Sequence, residues 1–419
     1  MSCLGLYSFA SLICCRFGSR YLAASGIGDP DYVQSWMLQF AATKILGKEY
    51  TEGFHLVPDQ ALACLAQRLP IEFMSTGHTV GERRQVENHM RVCISINNTF
   101  STMSTMNPSE PLLSEAASVI MSDPQFSFNA PAFLKMVLAG FSIHPGNRGE
   151  LVGMLLLTLA RDKVISKKLD QRDHPGFFTV VAFLQCLFPT GVSKTPQNDD
   201  ILEATPSVYL NDAHKTKLLK EAFAGIYLHF NHFVKRGAQD GLTHPCRAGF
   251  LARNAAVMGA NSQAGFDCGL PINHGVNVVQ TSTALILFQF KNDDKYSATI
   301  KSHLFDIMNP VILGIIEEGE TLEVPIIRIV FAMAGRVPAL RHVRKQSKGN
   351  FTAYDIWASG LTEDVFPIID GDLVNWEALL GASHGWKQIY KSRESSICQI
   401  KQTMTPMAGD EETFWRWVE

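Results

Sequence analysis

The chain has 419 residues, of which 46% are hydrophobic and 18% charged, and its formal net charge is −3. These values exclude a disordered chain and a polycation, so any nucleic-acid contact must come from local basic patches. Nine cysteines occur without a CxxC pair. That usage fits free thiols in a reducing, intracellular setting (cytoplasm or nucleus) better than a disulfide framework or a zinc ribbon.

Residues 3–15 form an apolar run closed by Arg16, with no Lys or Arg before it. Such a run leaves secretion open as a cleaved leader, and otherwise reads as a buried element or a start inside a longer protein. No other run approaches the roughly 18 apolar residues of a membrane span. Residues 1–135 read as a mainly helical region. Asp29-Pro30 opens a helix with Val33, Trp36, Met37, Phe40, Ala41 and Ile45 at helical spacing, and Glu82–Ile96 and Ser114–Met121 suggest further helices. Residues 136–335 form the expected α/β core, starting with Leu151–Ala160, which is apolar nearly all round and so predicts a buried helix. Within it, 165–260 reads as a helical insertion, with polar loops up to 215 and amphipathic helices at 216–235 and 247–259. Two strands, a helix near 296–308 and a β-branched strand at Val324–Phe331 follow. Residues 336–419 are expected to hold a basic stretch and a helical, Trp-rich end.

The two strands carry few polar residues. Gly265-Phe-Asp267-Cys-Gly-Leu-Pro-Ile272 begins with an acid, and Ala284–Asn292 ends in Gln289-Phe290-Lys291-Asn292. In an antiparallel hairpin the start of one strand lies beside the end of the next. The midpoint of 267 and 289 falls at 278, next to the turn residues Gly275 and Asn277. Alternation then puts Gln289 and Lys291 on one face and Phe288 and Phe290 on the other. Asp267 joins Gln289 and Lys291 in that register, and a slip by one residue would remove it. Alternatively, an Asp after Gly265 serves as a turn residue, and Gln-x-Lys marks the chain's return to water.

An Asp at a strand start, a (Glu/Gln)-x-Lys at the end of the next strand and a Glu on a preceding helix resemble the PD-(D/E)xK nuclease superfamily. The segments Arg16–Arg20, Arg83–Cys93, Arg148–Asp162 and Gly265–Asn292 also look like the C-terminal nuclease-like region of Crinkler-type and mobile-element-associated proteins of mushroom-forming fungi. No Gly-x-x-x-x-Gly-Lys-Ser/Thr loop is present, so the triphosphatase module that precedes that region is not expected. The resemblance implies a restriction-endonuclease-like α/β (α+β) fold with a mixed sheet and Mg²⁺-dependent phosphodiester hydrolysis of nucleic acid, or a degenerate relative that binds without cutting. It further implies metal ligation by Asp267, Glu150 and the backbone carbonyl of Phe290, with Lys291 assisting the attacking water and Gln289 supporting. Mg²⁺ suits such a set because it keeps several waters and needs only one or two carboxylates. Gln289 in place of an acid removes one anionic ligand.

Three further features admit plain readings. Asn147-x-x-Glu150 has capping-box spacing, which would account for Glu150 without a metal. His229 and His232, three apart with His244 and Cys246 nearby, suggest either a zinc site or helix-face packing. The run Arg336, Arg341, Arg344, Lys345 and Lys348 contains no acid and suits sequence-independent phosphate contacts, or else a solvated loop. The competing class for the whole chain is a non-enzymatic helical interaction module, a truncated mobile-element relic among its forms.

Overall fold

The computed structural model describes residues 30–49, 54–73, 80–99, 102–141, 148–167, 177–190, 198–236, 241–260, 263–275, 282–293, 295–369 and 371–391, with backbone alone for 30–36 and 384–391. The apolar run 3–15, the basic stretch 16–20, Asn147, most of the 275–277 turn and the terminal tryptophans lie outside these residues. Among the described residues no helix is long and apolar enough to cross a membrane.

The chain opens with helices α1 (Pro30–Leu46), α2 (Pro58–Arg68) and α3 (Val80–Asn88), then a two-stranded ribbon β1 (Val92–Ile96) and β2 (Met103–Met106). Helices α4 (Pro111–Ser122), α5 (Ala130–Gly140) and α6 (Arg148–Lys167) follow. The remaining chain gives β3 (Phe178–Thr179), α7 (Val180–Leu187), β4 (Val208–Tyr209), β5 (Ile226–Leu228), β6 (His232–Lys235), α8 (His244–Ala252), β7 (Ala255–Met258), β8 (Cys268–His274) and β9 (Thr283–Lys291). It ends with β10 (Leu322–Ala332), β11 (Ala339–His342), β12 (Ser347–Lys348), β13 (Phe351–Ser359) and α9 (Leu373–Lys391). This is an α+β fold.

Eleven strands form one mixed sheet in the order β12-β4-β13-β10-β9-β8-β5-β3, with β11 on β13 and β6 on β7. The antiparallel hairpin β8/β9 is followed by parallel β10 and then parallel β13. One edge of β8 is shared, since β7 takes its first residues and β5 its last. Parallel strands buried on both faces read as continuous apolar runs. Accordingly β9 is buried from Thr283 to Phe290, and β13 is buried throughout.

One face of the sheet carries Phe288, Phe290 and Phe331 as a ring cluster, with Phe188 after α7 and Phe366 against it. Helix α6 packs there. The other face is covered by the segment after residue 295, where Trp357 donates to the Ser297 carbonyl and Arg328 to that of Phe305. Arg328 also forms a two-pronged buried bond to Asp355 on β13, at 2.6 and 2.7 Å. Buried charge needs such pairing, and the parallel register sets these two residues side by side.

Buried ion pairs tie the N-terminal helices to the sheet. Arg68 of α2 grips Asp162 of α6 at 2.5 and 2.8 Å, and Arg161 reaches Glu115 of α4 at 2.7 Å. The same two arginines donate to the carbonyls of Asn231 and Phe230, in the turn between β5 and β6. Helix starts carry their own signals. Asn129 accepts from the Ala132 N–H ahead of Pro131, and Thr179 accepts from that of Ala182.

Several expectations from sequence need correction. The helix expected at 216–235 is a single turn, Leu219–Ala222, followed by β5 and β6. The one expected at 247–259 ends at Ala252 and gives way to β7, so 165–260 contributes strands to the sheet and is not a helical insertion. Residues 92–96, read as helical, form β1. The helix near 296–308 shrinks to Ser302–Asp306. The segment after 335, expected to be helical, supplies β13, an interior strand.

Candidate active site at the carboxyl end of β9

The hairpin register pairs Cys268 with Phe288 and Asn273 with Thr283, a ladder centred at 278 as the sequence indicates. Asp267 stands at a bend just before its first step. Its N–H donates to the Phe288 carbonyl at 2.8 Å, and its carboxylate accepts from the Phe290 N–H at 2.5 Å. The N–H bond is one residue off the ladder, so Asp267 bulges at the open end of the hairpin and is not the lateral partner of Gln289 that the sequence register predicts. In an extended strand a residue's N–H and C=O leave on the same side. The Phe290 carbonyl thus also points to the Asp267 side, while the Lys291 carbonyl accepts from Met333 beyond β10.

Glu150 enters from the first turn of α6, held over β9 by Gly153 against the Phe290 ring and by Gly149 against Asn292. Burial pushes the Glu150 carboxyl up to about 7, and the nearby Asp267 charge pushes the same way, while Lys235 and Lys291 pull it down. Asp267 is also raised, chiefly by burial, with Lys291 and the Phe290 N–H opposing. The Cys268 thiol is held well above its ordinary range by burial and by the two acids. Glu150, Asp267 and Lys291 thus form one electrostatic unit around the end of β9. Two carboxylates that resist ionisation in a shared buried place amount to a local deficit of positive charge.

Gln289 is 4% exposed, and its side-chain oxygen is buried without a hydrogen-bond partner. Strand alternation points it to the face of Val330, away from Phe290 and α6, so it does not join Glu150 as the sequence motif predicts. Among the described residues no group of three or more His, Cys, Asp and Glu side chains would hold a metal ion. Any ion here would therefore rely on two carboxylates, backbone oxygens and water.

Two cations at this end of the sheet escaped the sequence reading, Lys235 and Arg236. Lys235 pairs with Glu72 at 2.6 Å. Lys235 ends the expected helix and Arg236 follows it, so no strand register could place them.

The remaining candidates disperse. His232 bonds Ser109 through Nε2 and Asn231 through Nδ1, and His229 stacks on Phe177, so packing accounts for the pair. Of the basic run, Arg336 lies just past β10, where Gly335 bonds back to Ala332. From there β11 runs antiparallel along β13, and β12 pairs with β4 near the level of Ala353. Arg341, Arg344, Lys345 and Lys348 are exposed but recede along that strand, from about 7 Å at Arg341 to about 20 Å at Lys348. Arg344 is also paired with Asp199 at 2.9 Å.

The chain matches no curated protein and no solved structure. A family model described as "Domain of unknown function (DUF8736)" matches residues 60–306, which include Glu150, Asp267, Gln289 and Lys291 but neither β10 nor the basic run. That match spans more than half of the sequence, and the chain belongs to this family.

Proposed function

We propose that this protein is a Mg²⁺-dependent nuclease of the PD-(D/E)xK type, or a relative that retains nucleic-acid binding without cleavage. The observation that carries the reading is the Asp267 carboxylate held on the Phe290 N–H at the end of β9, with Asp267 and Lys291 both acting electrostatically on Glu150. The hairpin followed by a parallel strand also fits a restriction-endonuclease-like core.

Asp267, Glu150 and the Phe290 carbonyl would hold the ion, while the Gln289 side chain takes the other face of the sheet. Mg²⁺, when bound, supplies charge neutralisation at a phosphate and acidifies a water. Lys291 would orient that water and meet negative charge developing on the phosphate. Arg336 is the member of the basic run nearest this end of the sheet and would contact the nucleic-acid backbone. The five described cysteines are all free, which supports a reducing compartment, cytoplasm or nucleus.

A non-enzymatic interaction module is the second reading. It is favoured by the amide at 289, which leaves two acids to hold the ion. Plasmid nicking with Mg²⁺ separates the two. The wild type should nick, and Asp267→Ala and Lys291→Ala should each reduce nicking by at least ~100-fold. Equal rates in all three proteins, or none in any, would remove the catalytic assignment.

A further inference from the structure

The motif lysine and the helix that carries Glu150 belong to different faces of the sheet. Phe290 turns toward α6, where its ring meets Gly153. Lys291 comes next in β9 and leaves on the other side, with Gln289. A second lysine stands on the α6 side. Lys235 pairs with Met258, Met258 with Cys268, and Cys268 with Phe288. Laterally paired residues direct their side chains to one face. The row therefore shares the face of Phe288, whose ring stacks on that of Phe290. Glu150 lies one turn before Gly153 on α6, above the same face.

Charge effects agree with this placement. The Cys268 thiol of the row is pushed up by burial, by Asp267 and by Glu150. Against the burial and the Asp267 charge that raise Glu150, Lys235 pulls harder than Lys291, and Glu72 pushes least. Lys235 is 11% exposed and bonded to Glu72, just past α2, at 2.6 Å. An exposed ion pair would act weakly and only on itself. An ammonium this covered reaches further, because little water screens it.

We propose that Lys235 is a positioning residue of the candidate centre: anchored by Glu72, it faces Glu150 on the α6 side and keeps that carboxylate turned to the end of β9. The inference rests on the nuclease reading and adds a residue outside its motif.

A double-mutant cycle by thermal unfolding of the full chain at pH 8.5 tests the interaction without asking for activity. The midpoint shift caused by Lys235→Met should be larger with Glu150 present than in Glu150→Gln, by about 2–4 °C. A lysine that serves Glu72 alone would give the same shift in both backgrounds, and that result overturns the inference. Lys235→Gln takes the place of Lys235→Met in the cycle if the latter does not fold. Plasmid nicking with Mg²⁺ reads the functional part. Per folded molecule, Lys235→Met should slow nicking at saturating DNA by ~10-fold or more, while duplex affinity in EDTA stays within about twofold. Lys235→Arg should recover most of the rate. A wild type that nicks while Lys235→Met matches it per folded molecule overturns this inference alone. If the wild type binds duplex without nicking, the cycle decides. A wild type that neither binds nor nicks overturns the nuclease reading and this inference with it.

Discussion

Gly153 of α6 faces the ring of Phe290 so closely that a Cβ at that position would stand 2.4 Å from the ring. The contact sets the height of the helix over β9, and Glu150 lies one turn earlier on the same helix. Gly153→Val should force the two apart, costing about 1–3 kcal/mol in denaturant unfolding. Because Glu150 moves with the helix, nicking should fall further than the loss of folded protein explains. Trimming the ring in a Gly153→Ala, Phe290→Leu double variant should recover part of both losses.

Glu150 also makes stability depend on pH in a stated direction. Its ordinary value is 4.5, and in the fold it is pushed up to about 7 by burial and by Asp267. Between those values the folded chain holds a proton that the unfolded chain releases, so stability falls as pH rises through the window. Glu150→Gln cannot ionise and should be more stable than the wild type above pH 7, by about 1–3 kcal/mol. The advantage should fade toward pH 4. Thermal unfolding at several pH values measures it. At pH 8, Mg²⁺ should raise the wild-type midpoint and raise that of Glu150→Gln less.

The Arg328–Asp355 pair is a sharper probe of the sheet interior. Both side chains are nearly inaccessible, 5% and 4% exposed. Asp355→Ala would strand a buried guanidinium and should cost about 3–5 kcal/mol. Replacing both by apolar residues of similar volume should cost far less, because nothing charged remains to be desolvated. Urea unfolding of the single and double variants reads the difference.

The hairpin was legible in the sequence because its information is local, apolar strands with a turn midway, whereas the bend that takes Asp267 out of register with Gln289 was not. The segment 216–235 was not. Leu219, Phe223, Ile226, Phe230 and Phe233 recur at helical spacing, yet all are buried on several sides, and full burial erases the difference between a helix face and two short strands. What decides is the clamp from Arg68 and Arg161 onto the turn at Phe230 and Asn231, across 163 and 69 residues. Similarly, Asp355 in the middle of β13 argues against a buried strand until Arg328 is placed beside it.

The pairing of β9 with β10 has a consequence for how the family is delimited. The family match ends at residue 306, whereas β10 begins at Leu322. A fragment cut to the matched span would keep every acid and lysine of the candidate centre yet turn β9 into a rim. Six paired positions, Ile286 to Lys291, would lose their β10 neighbours. Bare rims of that kind recruit strands from other copies. The matched span is thus a unit of shared ancestry but not of folding, and recombinant boundaries should follow the sheet through Ser359.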